Sequence, residues 1–432
     1  MRYFLARWAL LAGGLAPLWA WSATYPLPPQ GDNIVGNLVA VTARQEETLL
    51  DIGRRHDLGY EQITAANPGV DPWLPRGGTR VLLPTEYVLP DAPRQGIVIN
   101  VAAMRLFYYP PTRPGMTPEV VTYPIGIGRE GWHTPVGQAS VTGKTKDPSW
   151  TPPASIREEH ANNGDPLPAV VPAGPDNPLG QYALRLTLPG YLIHGSNKPW
   201  GVGMRVSHGC IRLYPEDISR LFASIPVGTS VRIVNQPWLL GHRHGISYLQ
   251  AFKAIDQAPD AHLERDLGEW IARQLPPGTP VPWQRVLQIA QAGRGIPTAL
   301  SGPEQEASER ILPETVQSPM TVTAGAAEEQ TAAGGAKAPA GSWFFNVARF
   351  RNPDNAKKVT GLLAQMQPPV PSASSRAAGA ILLRAGPYPS KMAAEAESER
   401  IERTLGIRCE APLRDESPKK DPFSQGGAAT GR

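Results

Sequence analysis

The chain has 432 residues, more than one ordinary domain holds, so roughly two to four domains are expected. Hydrophobic residues make up 41% of it, enough for packed cores, while 48 prolines and 43 glycines predict long irregular stretches. A formal charge of +4 without any Lys/Arg-rich block argues against nucleic acid as a partner, and two cysteines with eight scattered histidines argue against a thiolate zinc site.

Residues 1–22 read as a signal peptide. Arg2 and Arg7 supply positive charge, Ala9 to Trp19 an apolar stretch, and Ala20-Trp21-Ser22 a small-x-small cleavage pattern. The apolar run is too short to span a bilayer, so the mature chain is expected to be soluble and exported. In an oxidising compartment Cys210 and Cys409 invite a disulfide. They lie almost 200 residues apart in separate predicted domains, and a bridge would consume any catalytic thiol.

Residues 36–85 predict a small strand–helix–helix–strand unit. Leu38, Val39 and Val41 read as a strand, and Glu47-Thr48-Leu49-Leu50-Asp51-Ile52 opens a helix with acidic residues in its first turn. Ile63, Ala65 and Ala66 form a second helical patch, stopped by Asn67-Pro68-Gly69, and Val81-Leu82-Leu83-Pro84 closes the unit. This order resembles a LysM domain, with Ala43-Arg44-Gln45-Glu46 in place of the usual Gly-Asp turn. The resemblance implies binding to N-acetylglucosamine-containing glycan; a module that only supports its neighbour is the alternative.

Residues 95–235 change to a β pattern, with runs at Ile97–Val101, Leu106–Tyr109, Val120–Tyr123, Ala139–Thr142, Ala183–Leu186 and Val231–Val234 separated by turn residues. They predict a mainly β domain, a sandwich or barrel, with one short helix at Pro215–Ala223. The interval 147–180, rich in Pro, Asn and Gly, is expected to be a long loop over a site. Residues 236–300 hold two helical candidates, 260–274 and 282–293, and 301–341 read as a disordered linker of Ala, Gly, Glu, Thr and Pro. His242 and His244 are read as a solvated turn, having no third metal ligand nearby.

Order is expected to return over 342–412 before a disordered tail, 413–432. Trp343–Phe350 reads as a strand, followed by a helix over 355–366, a strand at Ala380–Ala385, and a helix over 391–405. The order of elements, with Val347-Ala348-Arg349-Phe350 and Leu383-Arg384-Ala385-Gly386-Pro387-Tyr388, resembles a SPOR domain. That resemblance implies a ferredoxin-like α+β fold that binds peptidoglycan strands stripped of stem peptides, and hence septal localisation.

Chemistry concentrates in Tyr191-Leu192-Ile193-His194-Gly195-Ser196-Asn197 and Arg205-Val206-Ser207-His208-Gly209-Cys210-Ile211-Arg212-Leu213. A thiol needs deprotonation to attack, and an imidazole can take its proton. His194 precedes Cys210 by 16 residues, and Gly201 and Gly203 between them allow the chain to return. Gly209 would let the backbone approach a substrate, and the amides around His208, Gly209 and Cys210 could form an oxyanion hole. Ser207 is read as a loop support.

Together with Thr134-Pro135-Val136-Gly137 and Asp147–Pro153, these stretches resemble the L,D-transpeptidase catalytic domain of the YkuD or ErfK/YbiS type. The resemblance implies Cys210 as nucleophile and His194 as general base, with the Gly195 carbonyl orienting the ring and His208 ranked second as base. Arg212 would pair with a substrate carboxylate or make a structural salt bridge. The implied substrate is a peptidoglycan tetrapeptide stem, cut between the L-centre of meso-diaminopimelate and D-Ala. The acyl group would pass to an amine, giving a 3–3 crosslink or a link to an outer-membrane lipoprotein in the periplasm, without metal or cofactor. A carboxypeptidase or lipoprotein-releasing amidase of the same fold, and a non-catalytic peptidoglycan-binding protein, are the alternatives.

Overall fold

A computed structural model describes residues 23–162, 164–253, 262–275, 278–301, 312–313, 342–377 and 379–414. The expected signal peptide, most of the expected linker and the tail beyond residue 414 lie outside the described residues.

The first described residues form strand β1 (Ala23–Pro26), followed by β2 (Ile34–Gly36) and β3 (Val39–Thr42). Helix α1 (Leu49–Arg55) starts at Thr48, whose hydroxyl accepts from Asp51 N at 3.1 Å while Asp51 Oδ2 accepts from Thr48 N at 3.1 Å. This reciprocal pair satisfies two of the donors a helix start leaves open. Helix α2 (Tyr60–Ala66), β4 (Arg80–Leu83) and β5 (Glu86–Val88) follow. β3 and β4 pair antiparallel, so the predicted βααβ order is present, over a core that includes Leu49, Ile52, Leu58, Ile63 and Val81.

The β domain contains β6 (Gly96–Asn100), β7 (Arg105–Tyr109), β8 (Glu119–Pro124), β9 (Ile127–Gly128) and β10 (Gly137–Lys146). Helix α3 (Ala154–Asn162) interrupts the interval expected to be irregular. Then come β11 (Tyr182–Leu186), β12 (Leu192–His194), β13 (Arg205–Ser207), β14 (Ile211–Arg212), α4 (Pro215–Ser224) and β15 (Ser230–Val234). The nine-stranded sheet runs β1-β8-β7-β6-β15-β10-β11-β12-β14. Its edge strand β1 is drawn from outside the predicted domain boundary. One sheet face packs α4 over a core including Ile97, Leu106, Leu184, Ile193, Ile211, Ile218 and Leu221.

Residues 236–300 are not purely helical as expected. β16 (Trp238–Arg243) and β17 (Ile246–Ala251) form a hairpin, followed by α5 (Leu263–Gln274), α6 (Trp283–Ala292) and β18 (Thr298–Ala299). His244 (φ 52°) and Gly245 (φ 78°) make the two-residue turn. Positive φ at both positions matches the strand twist, and the sequence hid it because His stands where Asn or Asp usually announces such a turn. His242 therefore lies on a strand and not in a turn; its Nδ1 is 3.3 Å from Ser247 Oγ. β19 (Leu312–Pro313) adds to β3 in parallel.

The C-terminal unit is β20 (Trp343–Phe350), α7 (Pro353–Leu363), β21 (Ser372–Ala377), β22 (Ala380–Tyr388), α8 (Lys391–Leu405) and β23 (Leu413–Arg414), with sheet order β21-β22-β20-β23. β21 was not predicted, and β23 occupies the first residues of the expected tail.

The three units are joined by buried contacts. The fully buried Arg105 of β7 donates to Asp57 O at 3.0 Å, Gln62 Oε1 at 3.1 Å and Thr122 Oγ1 at 2.8 Å. Gly203 (φ 79°) touches the start of α2 so closely that a Cβ there would lie 2.2 Å from Tyr60 N; Glu61 N donates to Gly203 O at 3.0 Å. The β-domain loop thus caps a helix of the small unit. The C-terminal unit is seated as well: Tyr60 Oη and Trp73 Nε1 both donate to Leu405 O, at 2.6 and 2.7 Å, and Leu50, Tyr60, Trp73 and Met204 share its apolar core.

Candidate active site

Strand pairing brings the two sequence stretches together. β12 and β14 run parallel with Ile193 opposite Ile211 and His194 opposite Arg212, and Leu213 N donates to His194 O at 2.9 Å. Ile193 and Ile211 both enter the core. Because side chains alternate across a strand, His194 and Arg212 then share the other face, and Cys210, two residues before Arg212, falls on the same side. The apolar pattern of Ile193 and Ile211 thereby fixes the polar neighbours.

His194 is 4% exposed, and its Nδ1 lies 2.7 Å from Gly195 O. A carbonyl only accepts, so Nδ1 carries the proton and Nε2 of the neutral ring keeps its lone pair. Burial, followed by the neighbouring Arg212 charge, pushes the imidazole pKa down to about 3, against the opposing effect of the Gly195 and Leu179 carbonyls. The ring is neutral through the physiological range.

Cys210 is free and partly buried, with Sγ 3.7 Å from Gly190 O. Burial raises its pKa; a backbone hydrogen bond at Leu192 and the Arg212 charge oppose this. At rest His194 is a neutral imidazole, and burial favours the thiol form of Cys210. Cys409 is also free, so the disulfide reading does not hold; burial pushes its thiol up to about 11.

The loop before Cys210 is tied from both sides. Ser207 Oγ donates to Cys210 O at 2.7 Å and accepts from Gly209 N at 3.2 Å. The Gly209 amide is thus held by Ser207 in the resting site. Thr134 Oγ1 donates to Gly209 O at 2.8 Å and accepts from Gly128 N at 3.1 Å, the structural task of the Thr-Pro-x-Gly element. Gly209 sits at φ 104°, and a Cβ there would meet Tyr191 Cε1 at 2.8 Å. Its smallness accommodates Tyr191 and a left-handed turn.

His208 turns away from this pair. Its Nε2 lies 3.2 Å from Glu159 Oε2 on α3, and its ring meets Trp132 edge-on at 4.8 Å. Arg212 meets no carboxylate among the described residues; Nη1 donates to Gln365 Oε1 of the C-terminal unit at 3.1 Å. Burial lowers its pKa to about 10, while Cys210 works in the other direction. Glu159 and Gln365 had no motif to announce them, since each acts across a domain or loop boundary.

A family model of the L,D-transpeptidase catalytic domain (YkuD) matches residues 94–233, and one of the SPOR domain matches residues 339–411. Probable L,D-transpeptidase YcfS of Escherichia coli (strain K12) is 48% identical over 219 residues, covering 50% of this chain and 67% of the relative. Probable L,D-transpeptidase ErfK/SrfK of the same strain is 46% identical over 219 residues, covering 50% and 69%. Probable L,D-transpeptidase YbiS is 46% identical over 221 residues, covering 50% and 71%. The chain belongs to the L,D-transpeptidase family.

This L,D-transpeptidase family member carries its SPOR domain against the catalytic domain, where Gln365 reaches Arg212. A cleft of about 1110 Å³ runs between the units, bordered by Glu61, Arg129, Arg205, Arg294 and Arg403. No group of three or more His, Cys, Asp or Glu residues suited to a metal ion occurs among the described residues. No helix among them is long and apolar enough to cross a membrane.

Proposed function

We propose that this chain is a periplasmic cysteine L,D-transpeptidase acting on peptidoglycan tetrapeptide stems, with Cys210 as nucleophile and His194 as general base and acid. The observation that carries the reading is the β12–β14 pairing, which gathers His194, Cys210 and Arg212 on one face while Gly195 O fixes the His194 tautomer. Cys210 Sγ passes its proton to His194 Nε2 and attacks the carbonyl carbon at the L-centre of diaminopimelate. The C–N bond to D-Ala breaks as Nε2 returns the proton to the leaving amine, leaving a thioester. An acceptor amine, from a second stem or from an outer-membrane lipoprotein, gives its proton to Nε2 and displaces the sulfur.

The SPOR domain would bring the enzyme to denuded glycan at the septum, with the LysM-like unit as a further glycan contact. A full-length fluorescent fusion should concentrate at division sites; uniform distribution counts against that targeting.

Incubation of the protein with purified tetrapeptide muropeptides and an amine acceptor, followed by mass spectrometry, tests the chemistry. Amine-exchanged or crosslinked product that disappears in Cys210→Ala supports the reading. Release of D-Ala alone with excess acceptor would make the enzyme a carboxypeptidase, and undiminished turnover in Cys210→Ala would sink both.

A further inference from the structure

Helix α3 is nine residues long, and Ile156 is its one buried apolar side chain. A helix this short and polar does not hold itself together in water. It meets the Cys210 loop through Glu159 and through His160, whose ring lies 6.4 Å from that of His208. One carboxylate oxygen of Glu159 accepts from Arg129 Nη2, and the other lies 3.2 Å from His208 Nε2. A carboxylate only accepts, so His208 donates through Nε2.

Both partners lead to Cys210. Arg129 N donates to Ser207 O at 2.9 Å, and Ser207 Oγ donates to Cys210 O. His208 lies two residues before Cys210 and is packed against Trp132, over which Arg129 also sits at 5.6 Å. The carboxylate therefore joins a marginal helix to the two walls of the nucleophile loop, and it is 22% exposed, sheltered enough for the charge-assisted bonds to persist.

We propose that Glu159 is a positioning residue that clamps α3 onto Arg129 and His208, setting the wall of the site against which the donor stem peptide is bound. The binding part of this statement rests on the function proposed above; the clamp itself does not. Removing Glu159 frees α3 and loosens the wall but leaves Cys210 and His194 in place. Its effect therefore falls on substrate binding more than on the chemical step.

The test uses the full chain with Glu159→Ala and Glu159→Gln. Steady-state kinetics on tetrapeptide muropeptide should show KM raised about tenfold in Glu159→Ala with kcat within about threefold, and a smaller rise in Glu159→Gln, which keeps one acceptor. Amide hydrogen exchange over 154–162 should accelerate at least about tenfold in Glu159→Ala while β12 and β14 stay protected. Unchanged exchange over α3 overturns the clamp, and a fall in kcat at constant KM overturns the binding role. Wild-type protein without turnover on muropeptides refutes the proposed function, and the exchange experiment then still decides the clamp.

Discussion

Burial of a neutral His194 makes the fold acid-sensitive in a defined window. An exposed histidine in the unfolded chain titrates near 6.5, whereas His194 in the folded chain is held down to about 3. A group whose folded pKa is depressed contributes stability above its unfolded pKa and loses it as pH falls, because the unfolded state binds the proton first. Between pH 7 and pH 4.5 the linkage from this one residue amounts to roughly 2.5 kcal/mol, a large part of the stability of an ordinary domain. Urea denaturation followed by near-UV circular dichroism at a series of pH values measures the slope. His194→Gln, which cannot be protonated, should reduce the loss over that interval by roughly 2–3 kcal/mol relative to wild type. A direct check is the imidazole resonance of His194, which should show the neutral form at pH 5. A midpoint near 6.5, or identical pH slopes in the two proteins, would refute the reasoning. In that case His194 would titrate as an exposed histidine does, and its burial would add nothing to the acid sensitivity of the fold.

Gly209→Ala should lose at least about tenfold in Cys210 alkylation or turnover and about 1–3 kcal/mol in stability, since the new methyl meets Tyr191 and the backbone stays left-handed; Gly209→Ala combined with Tyr191→Ala tests the clash by partial recovery. Arg105→Ala should destabilise the chain by about 3 kcal/mol or more by chemical denaturation, because it removes a buried side chain that donates to Asp57 O and Thr122 Oγ1 and is one of two donors to Gln62 Oε1. Trp73→Ala removes both the Leu405 hydrogen bond and an indole from the SPOR core; limited proteolysis should then release the C-terminal unit faster by about tenfold, with the β6–β15 core unaffected.

The sequence by itself determined the elements and the chemistry that depends on short range. Alternating apolar runs foretold the strands at 96–100, 105–109 and 182–186 because each buries one or both faces. Pro215 and the Ile218–Leu221 face foretold α4, and the Ser-His-Gly-Cys-Ile-Arg stretch pointed to a thiol with an imidazole partner. Helix α3 escaped because a single buried Ile leaves no period to read, and the β16–β17 hairpin because His244 carries a positive φ that its residue type does not advertise. Only the tertiary structure decided that Ile193 and Ile211 pair in parallel, placing His194 beside Arg212, and that His208 belongs to Glu159 instead of Cys210. It alone also seated the SPOR domain, with Leu405 O accepting from Tyr60 and Trp73 more than 330 residues earlier and Gln365 accepting from Arg212. The physical reason is the same in each case. A backbone pattern states which face of an element is buried, and the identity of what covers that face belongs to another part of the chain.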